Sequence, residues 1–188
     1  VDIEMGLVGE GAVLNAAAVF ALAFGLGLPL EAAAKGLVQV EPEPGRMRPL
    51  AGRGDRLIID DTYNANPASV EVAVSTAKAI AQKREAPLVL ILGDMKELGA
   101  QSEAAHRQVG ALAADAGAFL FAGCGAAMQD AVEAANRRGV DTLWFESSSE
   151  CEGGIADRLP LHCVVLVKGS RSMAMERVFE SLLEEPAS

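Results

Sequence analysis

Two rhythms of apolar and polar residues run through this chain. From residue 46 onward, short apolar runs end in polar or glycine-rich loops and are separated by longer stretches with helical spacing. The pattern predicts strands over 47–50, 56–60, 88–92, 118–122, 142–145 and 163–167. It predicts helices over 68–83, 102–116, 126–138 and 173–184, with a weaker one over 150–158 interrupted by Gly153 and Gly154. The first two strands flank a turn at Gly52 to Asp55. Alternation of this kind implies a mostly parallel sheet with helices on both faces, a Rossmann-like α/β fold over residues 46–188. Only the acidic tail after Leu183 reads as frayed.

Upstream the rhythm differs. Residues Val13 to Phe24 are nearly all Ala, Val, Leu and Phe, apolar on every face, which suits a helix buried within a larger domain. Gly25 and Gly27 stop it, and Pro29 opens a second helix, Leu30 to Leu37. Two helices cannot bury that surface, so residues 1–39 read as the end of a domain continued outside the chain, expected to self-associate through residues 12–38. The tract VEPEPG and the following Arg46 read as a linker over 40–46, leaving residues 47–188 as a second domain.

Composition narrows the function. The 188 residues are 51% apolar but only 4% aromatic, so the core is built from Ala, Val, Leu and Ile. A net charge of -10, spread along the chain, argues against nucleic-acid or anionic-membrane partners. Cys124, Cys151 and Cys163 share no metal-ligand spacing and read as buried free thiols of a reducing compartment. No basic region precedes the first apolar residues and no run reaches a membrane span, so a cytoplasmic location is expected.

Candidate chemistry lies where strands end. In a parallel sheet the loops after the strands gather on one edge, and here they read DDTYNANP, GDMKELG, GCG, ESSS and KGSRS. Asp60 and Asp61 cannot both point inward at a strand end, so one is expected to cap the next segment while the other faces a ligand. Lys168, followed by Gly169 and Ser170, offers a cation and backbone donors to a carboxylate or phosphate, or else only solvates the strand end. Lys96 carries the same two readings. His106 reads as a structural hydrogen-bonding residue rather than a base or metal ligand. The sequence contains no GxxxxGK[ST], no GxGxxG after a strand and no GxSxG.

At DDTYNANPASV, LILGDMKELGAQSEAAH and VLVKGSRSMAMERV, taken in that order, the sequence resembles the Mur ligases of peptidoglycan synthesis. Within that family it looks most like the members that add D-Ala-D-Ala to a UDP-N-acetylmuramoyl tripeptide. The stretch GEGAVLNAAAVFALAFGLGLPLEAAAKGL is similar to the last helices of the family's central ATPase domain, and Gly45 with Arg46 to its hinge. The resemblance covers nearly the whole chain but only about half of a three-domain enzyme.

That resemblance implies ATP-dependent amide ligation through an acyl phosphate and a tetrahedral intermediate. It implies ATP and Mg2+, with the P-loop, the metal ligands and a carbamylated lysine outside this chain. No catalytic residue and no metal ligand is then expected within it, and the full-length protein is expected to be a monomer. By position it assigns Asn15, Arg46 and Asp61 to ATP. An amide can read an adenine edge, a guanidinium can meet phosphate or base, and a carboxylate can accept from ribose hydroxyls. Asn64, Asn66, Lys96, Ser170 and Ser172 match the loops that face the incoming dipeptide, and Lys168 joins them by its chemistry. The chain departs from the family where a basic residue, His and Asn are usual and it has Glu10, Gly11 and Ala12, leaving Asn15 as the anchor of that segment. Two other readings share the fold: a non-catalytic interaction module, and a ligase for another amino-acid substrate, against which the NANP and LGDM loops argue.

Overall fold

Every predicted strand is present in the computed structural model, which describes residues 2–183. The strands are β1 (Arg48–Gly52), β2 (Asp55–Asp61), β3 (Leu88–Gly93), β4 (Leu120–Cys124), β5 (Asp141–Phe145) and β6 (His162–Lys168). They form one sheet in the order β1-β2-β6-β3-β4-β5. β1 pairs with β2 antiparallel, and every other neighbour pair is parallel. The sixth strand therefore enters between the second and third, which sets Lys168 directly opposite Asp61.

Alternation along the strands sorts the core into two layers, because successive side chains leave opposite faces. Ile59, Leu90, Leu92, Phe121, Val164 and Leu166 face α3 (Pro67–Lys83), α4 (Ser102–Asp115) and α5 (Met128–Asn136). Ile58, Val89, Ile91, Ala122, Val165 and Val167 face α6 (Ser148–Gly154) and α7 (Glu176–Glu180). Both faces are thus covered, as the continuous apolar runs require.

Two helices differ from their expected extents. The weak helix over 150–158 divides into α6 and a single 3-10 turn at Ala156–Arg158. The helix expected from Met173 is delayed, because Arg171–Met173 forms a 3-10 turn and Ala174 adopts a left-handed φ of 48°. α7 then occupies only Glu176–Glu180, and Leu183 makes a bridge to Gly52 instead of continuing it. Glu184 and the tail expected to fray lie outside the described residues.

The upstream helices form, as α1 (Glu10–Gly25) and α2 (Leu30–Val38), but α1 is not enclosed. Only Ala16 and Ala23 of α1 are buried, whereas Leu14 is 70% and Phe24 78% exposed. A helix apolar on all sides finds cover for one side here, and leucine and phenylalanine face outward on the others. Among the described residues no helix is long and apolar enough to cross a membrane.

Sedimentation equilibrium of this chain is expected to show concentration-dependent association, lost when Leu14, Leu22 and Phe24 are made polar. A clean monomer at high concentration would contradict that expectation. In the core, a Cβ added at Gly110 of α4 would drive into the carbonyl oxygen of Ala131 in α5, a backbone atom that cannot swing aside. Gly110→Ala should cost about 1–3 kcal/mol in urea unfolding. Gly153→Ala, which meets nothing within 4 Å, should be neutral or mildly stabilising.

Candidate functional site

A cleft of about 760 Å³ opens between the start of α1, the 45–47 segment and the first turns of α3. Asn15, Arg46, Asp61, Asn64, Asn66 and Lys168 all line it, although they come from four separate stretches of sequence. The volume suits a small-molecule ligand. Lys96, Ser170 and Ser172 are not among its lining residues and stand on the neighbouring loops.

The paired carboxylates after β2 divide their work. Asp60, buried at 1% exposure, accepts from the Gly45 N–H at 2.8 Å and from the Thr62 hydroxyl at 2.7 Å. Asp61 accepts from the Met47 N–H at 3.1 Å and from the Lys168 ammonium at 2.6 Å. Two adjacent acids therefore hold two amides that flank Arg46. Gly45 lies at φ +76°, where a Cβ would sit 2.8 Å from the Tyr63 nitrogen, and Met47 is in a left-handed conformation at φ +52°. For a residue with a side chain that geometry costs about 1–3 kcal/mol and persists only when its surroundings impose it. Arg46 itself lies over the Tyr63 ring, 4.1 Å from the centroid, at the cleft wall.

Lys168 does not simply solvate its strand end, because it is only 3% exposed. Its ammonium donates to Asp61 and, at 2.7 Å, to the carbonyl oxygen of Asn64. Burial of a charge demands such partners, and removing one member of a buried pair costs about 3–5 kcal/mol.

In the amide-rich loop, Asn64 turns its side-chain oxygen back onto the Ala65 N–H at 2.8 Å. Asn66 caps α3: its side chain accepts from the Ser69 N–H at 2.9 Å while the Ser69 hydroxyl accepts from the Asn66 N–H at 3.0 Å. Pro67 stands at the first helical position. Of the residues expected to face a dipeptide, Asn66 thus has its carbonyl committed to the helix. The spacing Asn-Pro-x-Ser carried that signal.

The remaining rim loops meet at Asp94, a residue that motif reading passed over. Its carboxylate, 3% exposed, accepts from the Met128 N–H at 3.0 Å at the start of α5 and from the Lys96 ammonium at 2.9 Å. Its carbonyl accepts from the Ser170 N–H at 3.1 Å, and the Ser170 hydroxyl accepts from the Lys96 N–H at 2.8 Å. The loops after β3, β4 and β6 are stitched together there. Lys96 keeps half of its side chain open to solvent, and Ser172 is exposed in the following 3-10 turn. His106 is fully buried and holds the same loop, accepting from the Met95 N–H at 3.1 Å through Nε2 and donating from Nδ1 to the Ser102 carbonyl at 2.7 Å. The GCG and ESSS loops serve structure, since Trp144 donates to the Gly125 carbonyl and Ser147 caps α6.

No group of three His, Cys, Asp or Glu side chains able to hold a metal occurs among the described residues. Asp60 and Asp61 have already met amides, a hydroxyl and an ammonium, so these residues do not fit Mg2+. All three cysteines are free and buried; hydrogen bonding to Cys151 and burial push the Cys124 thiol well up, and burial raises Cys163.

A family model described as "Mur ligase, glutamate ligase domain" matches residues 45–171. The chain is 36% identical over 190 residues to the UDP-N-acetylmuramoyl-tripeptide--D-alanyl-D-alanine ligase of Escherichia coli K12, covering 98% of this chain and 39% of that protein. The Haemophilus influenzae protein of the same name is 34% identical over 191 residues, covering 98% of this chain and 40% of that one. The crystal structure of MurF from Acinetobacter baumannii superposes with a TM-score of 0.83 at 30% identity, over 97% of this chain and 40% of that chain. The chain thus spans about two fifths of the length of the relatives it matches.

Asn66→Ala should lower thermal stability by about 1 kcal/mol through loss of the α3 cap, and Asn66→Asp should retain it. Equal melting of all three proteins would show that the cap carries no weight.

Proposed function

The chain belongs to the Mur ligase family, and we propose that it forms the nucleotide-closing and dipeptide-facing part of an ATP-dependent ligase that adds D-Ala-D-Ala to a UDP-N-acetylmuramoyl tripeptide. The observation that carries this reading is that Asn15, Arg46 and Asp61 line one cleft, beside loops bearing Lys96 and Ser170. The relatives' names supply the substrates, and the chemistry of the rim suits them.

Each residue has a task in that reading. Arg46, held over Tyr63 at the cleft wall, meets the phosphates or base of ATP, and Asn15 reads the base edge. Asp61 retains lone pairs beyond its two hydrogen bonds and accepts from a ribose hydroxyl. Lys96, half exposed, attracts the carboxylate of the incoming dipeptide, and the Asn64 and Asn66 side-chain amides, with the Ser170 and Ser172 hydroxyls, line its path. With the amine so placed, attack on an activated acyl group becomes effectively intramolecular.

No P-loop occurs in this sequence, so the loop that cradles the phosphates and the chemical step belong to other residues of the enzyme, and this chain alone is expected to bind ATP weakly. We place the enzyme in the cytoplasm, acting as a monomer, with residues 1–39 contributed to its central domain, 40–46 as hinge and 47–188 as its third domain.

Titration calorimetry of this chain tests the assignment. D-Ala-D-Ala is expected to give saturable heat that L-Ala-L-Ala does not, and Lys96→Ala should weaken it by about tenfold or more, as loss of one charged hydrogen bond does. Equal heats for both dipeptides, or none for either, would count for a non-catalytic interaction module.

A further inference from the structure

We propose that Lys168 is a positioning residue that ties the amide-rich loop after β2 to the hinge around Arg46, and is not a cation that meets the dipeptide. The proposal rests on the ligase reading above, since it concerns how the two ligand sides of that cleft are linked.

The connection is continuous and built from short contacts that are buried or half-buried. The Lys168 ammonium holds the Asn64 carbonyl at 2.7 Å on one side and Asp61 at 2.6 Å on the other. Asp61 passes the constraint to the Met47 N–H, one residue beyond Arg46. Asp60 holds the Gly45 N–H on the other flank, and the Tyr63 N–H donates to the Gly45 carbonyl at 3.0 Å. Arg46 is therefore clamped between two pinned amides, one of them in a left-handed conformation that needs outside support. The clamp ends in the loop that carries Asn64 and Asn66.

A second line of evidence is where the ammonium's capacity goes. Lys168 is 3% exposed and sits in register with Asp61 across two parallel strands, so its position is fixed by the sheet and two of its three donors are spent inside the protein. Lys96 presents half of its side chain to solvent and is the lysine suited to a mobile anionic ligand. Movement of the Asn64 carbonyl on dipeptide binding must be answered by Lys168, because a buried cation cannot leave a partner unreplaced. Asp61 and Met47 then move with it. The chain of contacts gives the amino-acid side and the nucleotide side a physical link.

Amide hydrogen exchange on this chain tests the link, comparing the wild type with Lys168→Met, Asp61→Asn and, as a surface control, Lys78→Met. Exchange at Gly45 and Met47 is expected to speed up by about tenfold or more in Lys168→Met, with the β3 and β6 core amides unchanged, and to be unaffected in Lys78→Met. Saturating D-Ala-D-Ala is expected to change hinge exchange in the wild type and not in Lys168→Met, which still binds the dipeptide. If Lys168→Met does not fold, Asp61→Asn carries the comparison, because it removes the charge pair that holds residue 61 in place, and hinge exchange is expected to speed up there as well. Wild-type hinge exchange in whichever variant folds would overturn the proposal. So would a large loss of dipeptide affinity in Lys168→Met with an unchanged hinge, which would make Lys168 a direct contact. Failure of D-Ala-D-Ala to bind the wild type would overturn the ligase reading instead, and the ligand-free comparison would still decide the role of Lys168.

Discussion

A buried ammonium cannot be left without an anion, and the pairing of Lys168 with Asp61 is the constraint on which the cleft depends. Sheet order puts the two residues across from one another, because β6 runs between β2 and β3 and parallel to both. Once paired, each still has capacity for a second partner, and the molecule uses it to reach outward. Asp61 takes the Met47 amide, and Lys168 takes the Asn64 carbonyl. The hinge and the amide loop are thereby referred to one point at the end of the sheet.

Asp94 performs the corresponding service one strand over. A carboxylate with almost no exposure satisfies the start of α5 and half-neutralises Lys96, while its backbone receives Ser170. The rim of the sheet is thus organised by two acids, the half-buried Asp61 and the buried Asp94, each holding one lysine. The lysines differ in function because they differ in burial: 3% exposure of the side chain for Lys168 against 49% for Lys96. A solvated ammonium can exchange water for a ligand carboxylate at modest cost, whereas an enclosed one cannot give up a protein partner without replacement.

The exposed apolar surface of α1 gives the other half of the picture. Leu14, Leu22 and Phe24 face outward while Gly9, at the start of the helix, rests against Thr76 of α3 and closes one side of the cleft. The helix therefore contributes Asn15 to the cleft through its first turns and presents its apolar side chains elsewhere. In the proposed ligase, those same turns belong to the central domain, across the hinge from residues 47–188.

Local rules in the sequence were enough for the strands, the layers and the loop edge, because period-two burial and strand-end loops follow from nearest neighbours in the chain. The motifs DDTYNANP and LGDMKELG were enough to point to the family, and the odd, scattered cysteines already read as buried thiols, which Cys124, Cys151 and Cys163 are. The Asn66 cap, with Pro67 and Ser69 at their offsets, is also a local signal, whereas the 3-10 turn and left-handed Ala174 that delay the last helix show only in the structure. What only the tertiary structure decided was the partner of each charge. Asp60 and Asp61 look alike in sequence, as do Lys96 and Lys168, and nothing within a few residues of either tells which is enclosed. The enclosure and pairing of Lys168 arise from contacts more than a hundred residues apart, with Asp61 and Asn64, and those exist only once the sixth strand has been inserted beside the second, whereas Lys96 meets Asp94 two residues away.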